Sequence, residues 1–259
     1  MKKWLLISSV AIIIFAAVLI ALVDYFVHGP SEENTSVELY LQSQELIQKG
    51  EVHEAERVLQ KAMKMDSQNS YYLKFEMGKI KELQKDYRQA LENYEAAAKL
   101  NPEETEVNLR AARMAKKLGK NKKALHFYEQ ANKYDPKNIS ILYQLGYYYT
   151  MERRLDMAED TYKKILSISY DETEAYRNLA FIYAEEGDLD KAVRTLKRAI
   201  ELKKRYPEAY NDLGNIMMIK NEYKKAVEMY EQALQIKPDY EDARKNLERA
   251  KRRREAESQ

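Results

Sequence analysis

The side chains that most often carry out chemistry are few and isolated in this sequence. Three histidines, His28, His53 and His126, stand far apart, and none has a partner three or four residues away that would hold a metal on one helix face. Cysteine is absent, which excludes disulfides, thiol nucleophiles and zinc ribbons. We therefore predict no metal site and no cofactor.

The acidic residues do not indicate an enzyme either. Glu185, Glu186 and Asp188 surround Gly187, a pattern more typical of a solvated helix end than of a paired acid and base. The 259 residues contain no glycine-rich phosphate loop, Ser-His-Asp order or nucleophile elbow. The sequence predicts a protein without enzymatic activity, so any chemistry it performs is recognition.

Recognition needs elements that hold side chains in fixed places, and a spacing of 34 residues indicates such elements. Small residues, which let two helices approach closely, recur at this interval in three registers. The registers are Gly78, Ala112, Gly146, Ala180 and Gly214; Ala90, Ala124, Ala158, Ala192 and Ala226; and Ala97, Ala131, Ile165, Ala199 and Ala233. Large residues fill a fourth register, at Tyr94, Tyr128, Tyr162, Leu196 and Tyr230. This period predicts stacked helical hairpins.

Turn residues divide the pattern into pairs of helices. Pro102, Pro136 and Pro238 recur where a helix has just ended, because proline cannot continue one. A second set of residues, which enter left-handed backbone readily, marks the turn inside a hairpin. This set is Gly50, Gly119, Gly187 and Asn221.

These positions together resemble the tetratricopeptide repeat, a helix-turn-helix unit of 34 residues. The resemblance covers about four fifths of the chain and implies an all-α, right-handed solenoid of about six repeats. The repeats are assigned to residues 36–70, 71–104, 105–138, 139–172, 173–206 and 207–240. Tyr170 and Lys204 stand where proline is usual. Residues 241–259 are predicted to form a capping helix and a basic tail, with Ala243, Leu247 and Ala250 on the apolar face.

The N-terminus carries a hydrophobic segment. Residues 4–23 are 20 uncharged, mostly apolar residues, which as a helix would span about 30 Å of hydrocarbon. We predict a transmembrane helix between a short basic N-terminus, residues 1–3, and a linker, residues 24–35. The length favours an uncleaved anchor over a long cleavable signal sequence.

The flanking charges predict an orientation. Lys2 and Lys3 precede the segment, whereas Asp24, Glu32 and Glu33 follow it. The positive-inside rule then keeps the N-terminus in the cytoplasm and sends the repeats across, to a periplasmic or extracellular location. Two lysines are few, so a cytoplasmic location of the repeats stays open.

In the tetratricopeptide family the first helix of each hairpin lines a concave groove that receives the ligand. Carried onto this sequence, the resemblance implies a mixed surface with cationic and aromatic patches, suited to an acidic or aromatic-containing peptide. The implied partner-binding residues are Tyr72, Phe75, Lys79, Arg110, Arg113, Lys116, Tyr143, Gln144, Tyr147, Arg177, Asn178, Phe181, Asn211, Asp212 and Asn215. The alternative is that several of these rings simply pack between repeats. A further alternative is a polar ladder that hydrogen-bonds the backbone of an extended peptide, formed by Gln144, Asn178, Asp212 and Asn246.

The favoured function is a membrane-anchored scaffold that binds a protein or peptide and helps assemble a membrane-associated complex. The alternatives are a periplasmic, chaperone-like holdase, a recruiter of enzymes acting on envelope polymers, and self-association. Nucleic acid is disfavoured, because the formal charge is only +2 and Glu174, Glu208 and Asp242 interrupt any basic stripe along the groove. The basic run from Arg249 to Arg254 is expected to solvate the terminal helix, with phosphate or lipid contact as the alternative.

Overall fold

A computed structural model describes residues 32–66 and 70–257. It contains thirteen helices and no strand within these residues, which confirms the all-α prediction. The helices are α1 (Glu32–Gln48), α2 (Val52–Met65), α3 (Tyr71–Leu83), α4 (Tyr87–Leu100), α5 (Thr105–Lys117), α6 (Asn121–Tyr134), α7 (Ile139–Met151), α8 (Leu155–Ile168), α9 (Thr173–Glu185), α10 (Leu189–Leu202), α11 (Pro207–Ile219), α12 (Tyr223–Ile236) and α13 (Glu241–Glu257).

The helices pair into hairpins whose bounds repeat every 34 residues. From α3 onward each first helix begins at a predicted repeat start, and each second helix ends at the same register, at Leu100, Tyr134, Ile168, Leu202 and Ile236. The two exit turns that carry Tyr170 and Lys204 in place of proline keep this register. Helix packing, rather than proline alone, therefore sets where the second helices end.

The chain divides into two compact units, Met1–Tyr134 and Asp135–Gln259. The first unit holds three hairpins, α1 to α6, and the second holds three hairpins, α7 to α12, followed by α13. The sequence pattern predicts one continuous array instead. Because each hairpin of a repeat protein packs only on its neighbours, such an array can divide between any two hairpins.

One predicted boundary differs from the structure. The linker was expected to reach residue 35, but α1 begins at Glu32, since residues 32–35 contain neither proline nor glycine to prevent a helix. The helix α13 lies within the predicted segment 241–259 and extends to Glu257. Residues 1–31, which include the predicted membrane helix at 4–23, lie outside the described residues. No helix in the described part of the chain is both long and apolar enough to cross a membrane.

The small residues of the repeat lie where helices meet. Ala90, Ala124, Ala158, Ala192 and Ala226 are all fully buried, and so is every member of the register that begins at Ala97. The methyl side chain of alanine at nine of these ten positions lets neighbouring helices pack closely and removes apolar surface from water, and Ile165 is the exception. In the first unit, Leu59, Leu73 and Ile80 are at most 1% exposed and form a buried cluster with Ala55 and Ala62.

Three first helices carry glycine where they face a tyrosine of the second helix. A methyl group added at Gly146 would lie 2.6 Å from Cζ of Tyr162, and equivalent approaches occur at Gly78 and Gly214. In the fifth repeat Ala180 occupies the same register, and the residue at the tyrosine position is Leu196. In the third repeat, however, Ala112 stands in the glycine register and Tyr128 in the tyrosine register, so the size of the facing side chain does not by itself decide where glycine is used.

All six hairpin turns share one hydrogen-bond pattern. In the third repeat Gly119 has a φ of +68°, its amide donates to the carbonyl of Lys116, and the next amide donates to the carbonyl of Ala115. This pairing satisfies carbonyl groups that the helix end would leave without partners. The left-handed residues are Gly50, Lys85, Gly119, Arg153, Gly187 and Asn221. Lys85 and Arg153 were not expected in this conformation.

Candidate interaction surface on the first helices

In the first unit the predicted binding residues of α3 and α5 form a connected cluster. The Arg110 guanidinium lies between two carboxylates, with Nη1 3.0 Å from Glu82 and Nε 2.7 Å from Glu106. The Tyr94 hydroxyl donates to the same Glu82 carboxylate at 2.8 Å. Burial and this carboxylate raise the pKa of Tyr94 well above its ordinary value. The charge of Arg110 is therefore paired with carboxylates of the protein itself.

An aromatic ring covers the cluster. Phe75 packs on Tyr94 with the ring centres 5.7 Å apart, and the cationic groups of Lys79 and Arg110 each lie 5.8 Å from the Phe75 ring. Lys79 also pairs at 2.9 Å with Glu76, whose side chain is 2% exposed. Much of the predicted cationic patch is thus neutralised from within.

The remaining predicted residues of the first unit divide between packing and exposure. Tyr72 meets Tyr40 edge to face, with ring centres 5.1 Å apart, so it contributes to the packing of α1 on α3. Arg113 and Lys116 are exposed on α5. These two cations are the most exposed part of the first unit's predicted surface.

In the second unit, α7 and α9 present large apolar side chains to solvent. Tyr147 is 48% exposed and Phe181, one repeat later in the same register, is 52% exposed. One helical turn beyond this register lie Met151 of α7 and Ile219 of α11, which are 50% and 61% exposed. We call Tyr147, Met151, Phe181 and Ile219 the apolar row. Exposed apolar side chains that recur in this way mark interaction sites more often than scattered ones do.

Met151 and Ile219 were missed by the sequence analysis. The signal was available, because both occupy one register of the 34-residue period, with Glu185 between them. The resemblance indicates the register four residues earlier, which holds Tyr147 and Phe181. The next helical turn was therefore not included in the predicted surface. Glu185 pairs with Arg153 at 3.2 Å, which links the α7–α8 turn to α9.

Beside the apolar row, predicted polar residues form hydrogen bonds within the protein. Arg177 Nε donates to Asp212 at 2.5 Å and joins α9 to α11. Burial lowers the pKa of Arg177, but the charge and hydrogen bond of Asp212 outweigh it and raise the pKa overall. Tyr143 donates to Glu172 at 3.0 Å. These side chains position helices and border the surface.

A set of amides joins α11 to α13. Asn246 donates to Asn211 at 3.0 Å and to Asn215 at 3.2 Å, and Asn215 also accepts from the Tyr230 hydroxyl at 2.8 Å. Asn211 is only 5% exposed, so the structure differs from the prediction that it contacts a partner. Its side chain is buried because α13 packs over this part of α11. Two members of the proposed polar ladder, Asp212 and Asn246, are likewise engaged within the protein.

Gln144 and Asn178 complete the predicted surface. Both are half-buried on α7 and α9, in the register that continues to Asp212. The predicted binding residues therefore fall into three groups, which are internally paired charges, packed rings or amides, and exposed side chains available for contact. No group of histidine, aspartate or glutamate side chains in the described residues is arranged to hold a metal ion.

Three family models, each described as tetratricopeptide repeat, match this chain. They cover residues 171–239, residues 83–145, and two segments, 39–69 and 139–172. A human protein, general transcription factor 3C polypeptide 3, is 35% identical over 89 residues, which are 34% of this chain and 10% of that protein. The match thus spans about a tenth of that relative's length.

Solved structures share the fold at low identity. The protein YrrB, described as having an unusual peptide-binding site, is 21% identical with a TM-score of 0.60, over 71% of this chain and 95% of its own. MamA is also 21% identical, with a TM-score of 0.59 over 65% of this chain and 92% of its own. A tetratricopeptide repeat protein from Parabacteroides merdae aligns over 83% of this chain and 98% of its own, at 21% identity and a TM-score of 0.57.

Proposed function

Because this chain belongs to the tetratricopeptide repeat family, whose fold serves protein–protein interaction, we propose that it is a membrane-anchored scaffold. Its second unit would bind a peptide or protein segment on the first helices α7, α9 and α11. Residues 4–23 would anchor it, with the repeats on the outer side of the cytoplasmic membrane.

The observation that carries this proposal is the apolar row. Tyr147, Phe181 and Ile219 come from three successive first helices, and each is about half exposed or more. Burial of such side chains on binding would stabilise a complex by about 25 cal/mol for each Å² of apolar surface removed from water. The paired Arg177 and Asp212 beside the row supply a polar border of the kind that surrounds many interfaces.

The test is photo-crosslinking of the full chain in its native host. Crosslinkers replace Tyr147 or Phe181, and the control position is Glu231, an exposed residue of the second helix α12. We expect one dominant product from the first two positions and none from Glu231. The variant Y147A/F181A should lose that partner without losing stability, because both side chains are exposed.

Other results would change the conclusion. Many weak products at Tyr147 and Phe181, with no dominant partner, would indicate the holdase function instead. Equal labelling at Glu231 would contradict the proposed surface.

A further inference from the structure

The second unit contains a cleft that shares Ile219 with the apolar row. It lies where α13 meets the end of α11 and the start of α12, and its volume is about 440 Å³. The helix α13 contributes Asn246, Arg249 and Arg253, α11 contributes Asn215 and Ile219, and α12 contributes Tyr223. We call this the terminal cleft.

The charge of the terminal cleft is uncompensated. Arg249 and Arg253 are one helical turn apart on the same face of α13, and no carboxylate lines the cleft. Two other cations of this helix have partners, since Lys245 lies 3.8 Å from Glu241 and Lys251 lies 3.9 Å from Glu248. Across the described residues, no hydrogen bond or ion pair engages the guanidinium of Arg249 or Arg253.

The remaining walls of the cleft are of mixed character. Asn215 accepts from both Tyr230 and Asn246, which holds the amide side of the cleft in place. Burial raises the pKa of Tyr230 to about 12, although the positive charge of Arg249 opposes this, so the hydroxyl remains a donor at neutral pH. Ile219 supplies an apolar wall and belongs to the apolar row as well.

We propose that the terminal cleft binds carboxylate groups of an acidic peptide segment. Two guanidinium groups on one helix face can each donate paired hydrogen bonds to a carboxylate, and Ile219 can pack against an adjacent apolar side chain. The proposal rests on the proposed function, because a peptide that lies along the apolar row reaches the cleft through Ile219. A lipid headgroup fits less well, since the arginines border a cleft with amide and apolar walls.

The test uses the full chain in nanodiscs of neutral phosphatidylcholine and an array of 12-residue peptides. Each acidic peptide is present with a free C-terminal carboxylate, as its C-terminal amide, and with asparagine and glutamine in place of its acids. The variant R249A/R253A is compared with K245A/R252A, which removes the same charge from exposed positions of α13 outside the cleft. Binding of each variant to anionic phosphatidylglycerol vesicles is measured in parallel.

We expect acidic peptides to bind the wild type about tenfold more tightly than their neutral forms, as two charge-assisted contacts would provide. R249A/R253A should remove this preference and keep the binding of neutral forms, whereas K245A/R252A should retain it. The amidated peptides then identify the recognised group. If amidation of the C-terminus alone abolishes the preference, the C-terminal carboxylate is recognised. If the amidated peptide binds as tightly as the peptide with a free C-terminus, side-chain carboxylates are recognised.

Three outcomes would overturn the proposal. In the first, R249A/R253A and K245A/R252A lose the binding of acidic peptides equally. In the second, the wild type binds neutral and acidic forms with equal affinity. Either result leaves the scaffold function intact. R249A/R253A could also lose only vesicle binding, which would assign the arginines to lipid. Failure of the proposed function looks different, because then no peptide form binds the wild type, or Y147A/F181A binds every form as well as the wild type does.

Discussion

Single residues set how closely the helices of each hairpin approach. Gly146 faces the Tyr162 ring, and a methyl group at this position would lie 2.6 Å from Cζ. Tyr162 is 3% exposed, so its ring has little free space into which it could move. The register of Gly78, Gly146 and Gly214 thus belongs to packing rather than to ligand binding.

We predict that G146A destabilises the protein by about 1 kcal/mol. Alanine would ordinarily stabilise a helix interior by about 1 kcal/mol relative to glycine, but overpacking costs about 1 to 3 kcal/mol. Chemical denaturation measures the difference. The double variant G146A/Y162L, which copies the Ala180 and Leu196 pair of the next repeat, should recover part of the loss; a more stable G146A would contradict this account.

At the residue scale the binding surface was only partly predictable. The resemblance indicates which register faces a ligand, and it led to Tyr147 and Phe181. It does not indicate that Arg110 is held by Glu82, which is 28 positions earlier, or that Asn211 is covered by α13. Long charged side chains find partners through space, and a motif with one residue per repeat does not contain that information.

At the scale of elements, the turns repeat more regularly than their residues do. Lys85 and Arg153 adopt φ values of +62° and +56° in the register where Gly119 and Gly187 stand. A residue with a Cβ atom pays about 1 to 2 kcal/mol in this conformation. The two helices that each turn joins are packed well enough to impose it.

We therefore expect K85G to stabilise the protein by about 0.5 to 1 kcal/mol, since relief of the left-handed strain exceeds the extra chain entropy of glycine. The matched control is G119A, which should destabilise by about 1 kcal/mol at the equivalent turn. Denaturation midpoints of both variants provide the measurement. If K85G were less stable than the wild type, strain at this turn would be excluded.

Neighbouring hairpins are also joined by charge. Glu159 of α8 lies 2.8 Å from Lys163 and 3.3 Å from Lys191 of α10, and its side chain is 16% exposed. The hydrogen bond from Lys163 is the main cause that holds the pKa of Glu159 below its ordinary value of 4.5, with further support from Tyr183 and Lys191 and opposition from burial. A lowered pKa means that the folded state favours the ionised form.

The pH dependence follows from that direction. The contribution of Glu159 is fully present above about pH 4.5 and is lost as the pH falls through the lower folded-state pKa. We expect E159Q to cost about 0.5 to 1 kcal/mol at pH 7 and little at pH 3, measured by denaturation at both values. The control E231Q, at an exposed position of α12, should leave the free energy of unfolding unchanged at both pH values. If E159Q lost the same stability at pH 7 and pH 3, an ionic contribution of Glu159 would be excluded.

For the whole molecule, the proposed membrane anchor would decide where the repeats act. Residues 4–23 are uncharged and long enough for a membrane span. We expect the full chain to sediment with membranes and to resist extraction at alkaline pH, because a span of this length is retained by the hydrophobic effect. A variant lacking residues 1–31 should remain in the supernatant.

Protease added to intact spheroplasts distinguishes the two orientations. Digestion of the repeats without lysis agrees with the charges that flank residues 4–23. Protection until lysis would place the repeats in the cytoplasm. Release of a shortened chain from the membrane would identify the segment as a cleaved signal sequence.

The sequence by itself determined the helices, their order and most of their turns, because small residues and turn residues at a 34-residue interval allow few other arrangements. Local forces explain this, since helix ends, caps and close contacts depend on residues near in sequence. Only the tertiary structure decided which side chains remain exposed. Arg177 meets Asp212 across 35 positions, Asn246 covers Asn211, and Arg249 and Arg253 stay unpaired beside an open cleft, because side-chain pairing depends on which helices are neighbours in space.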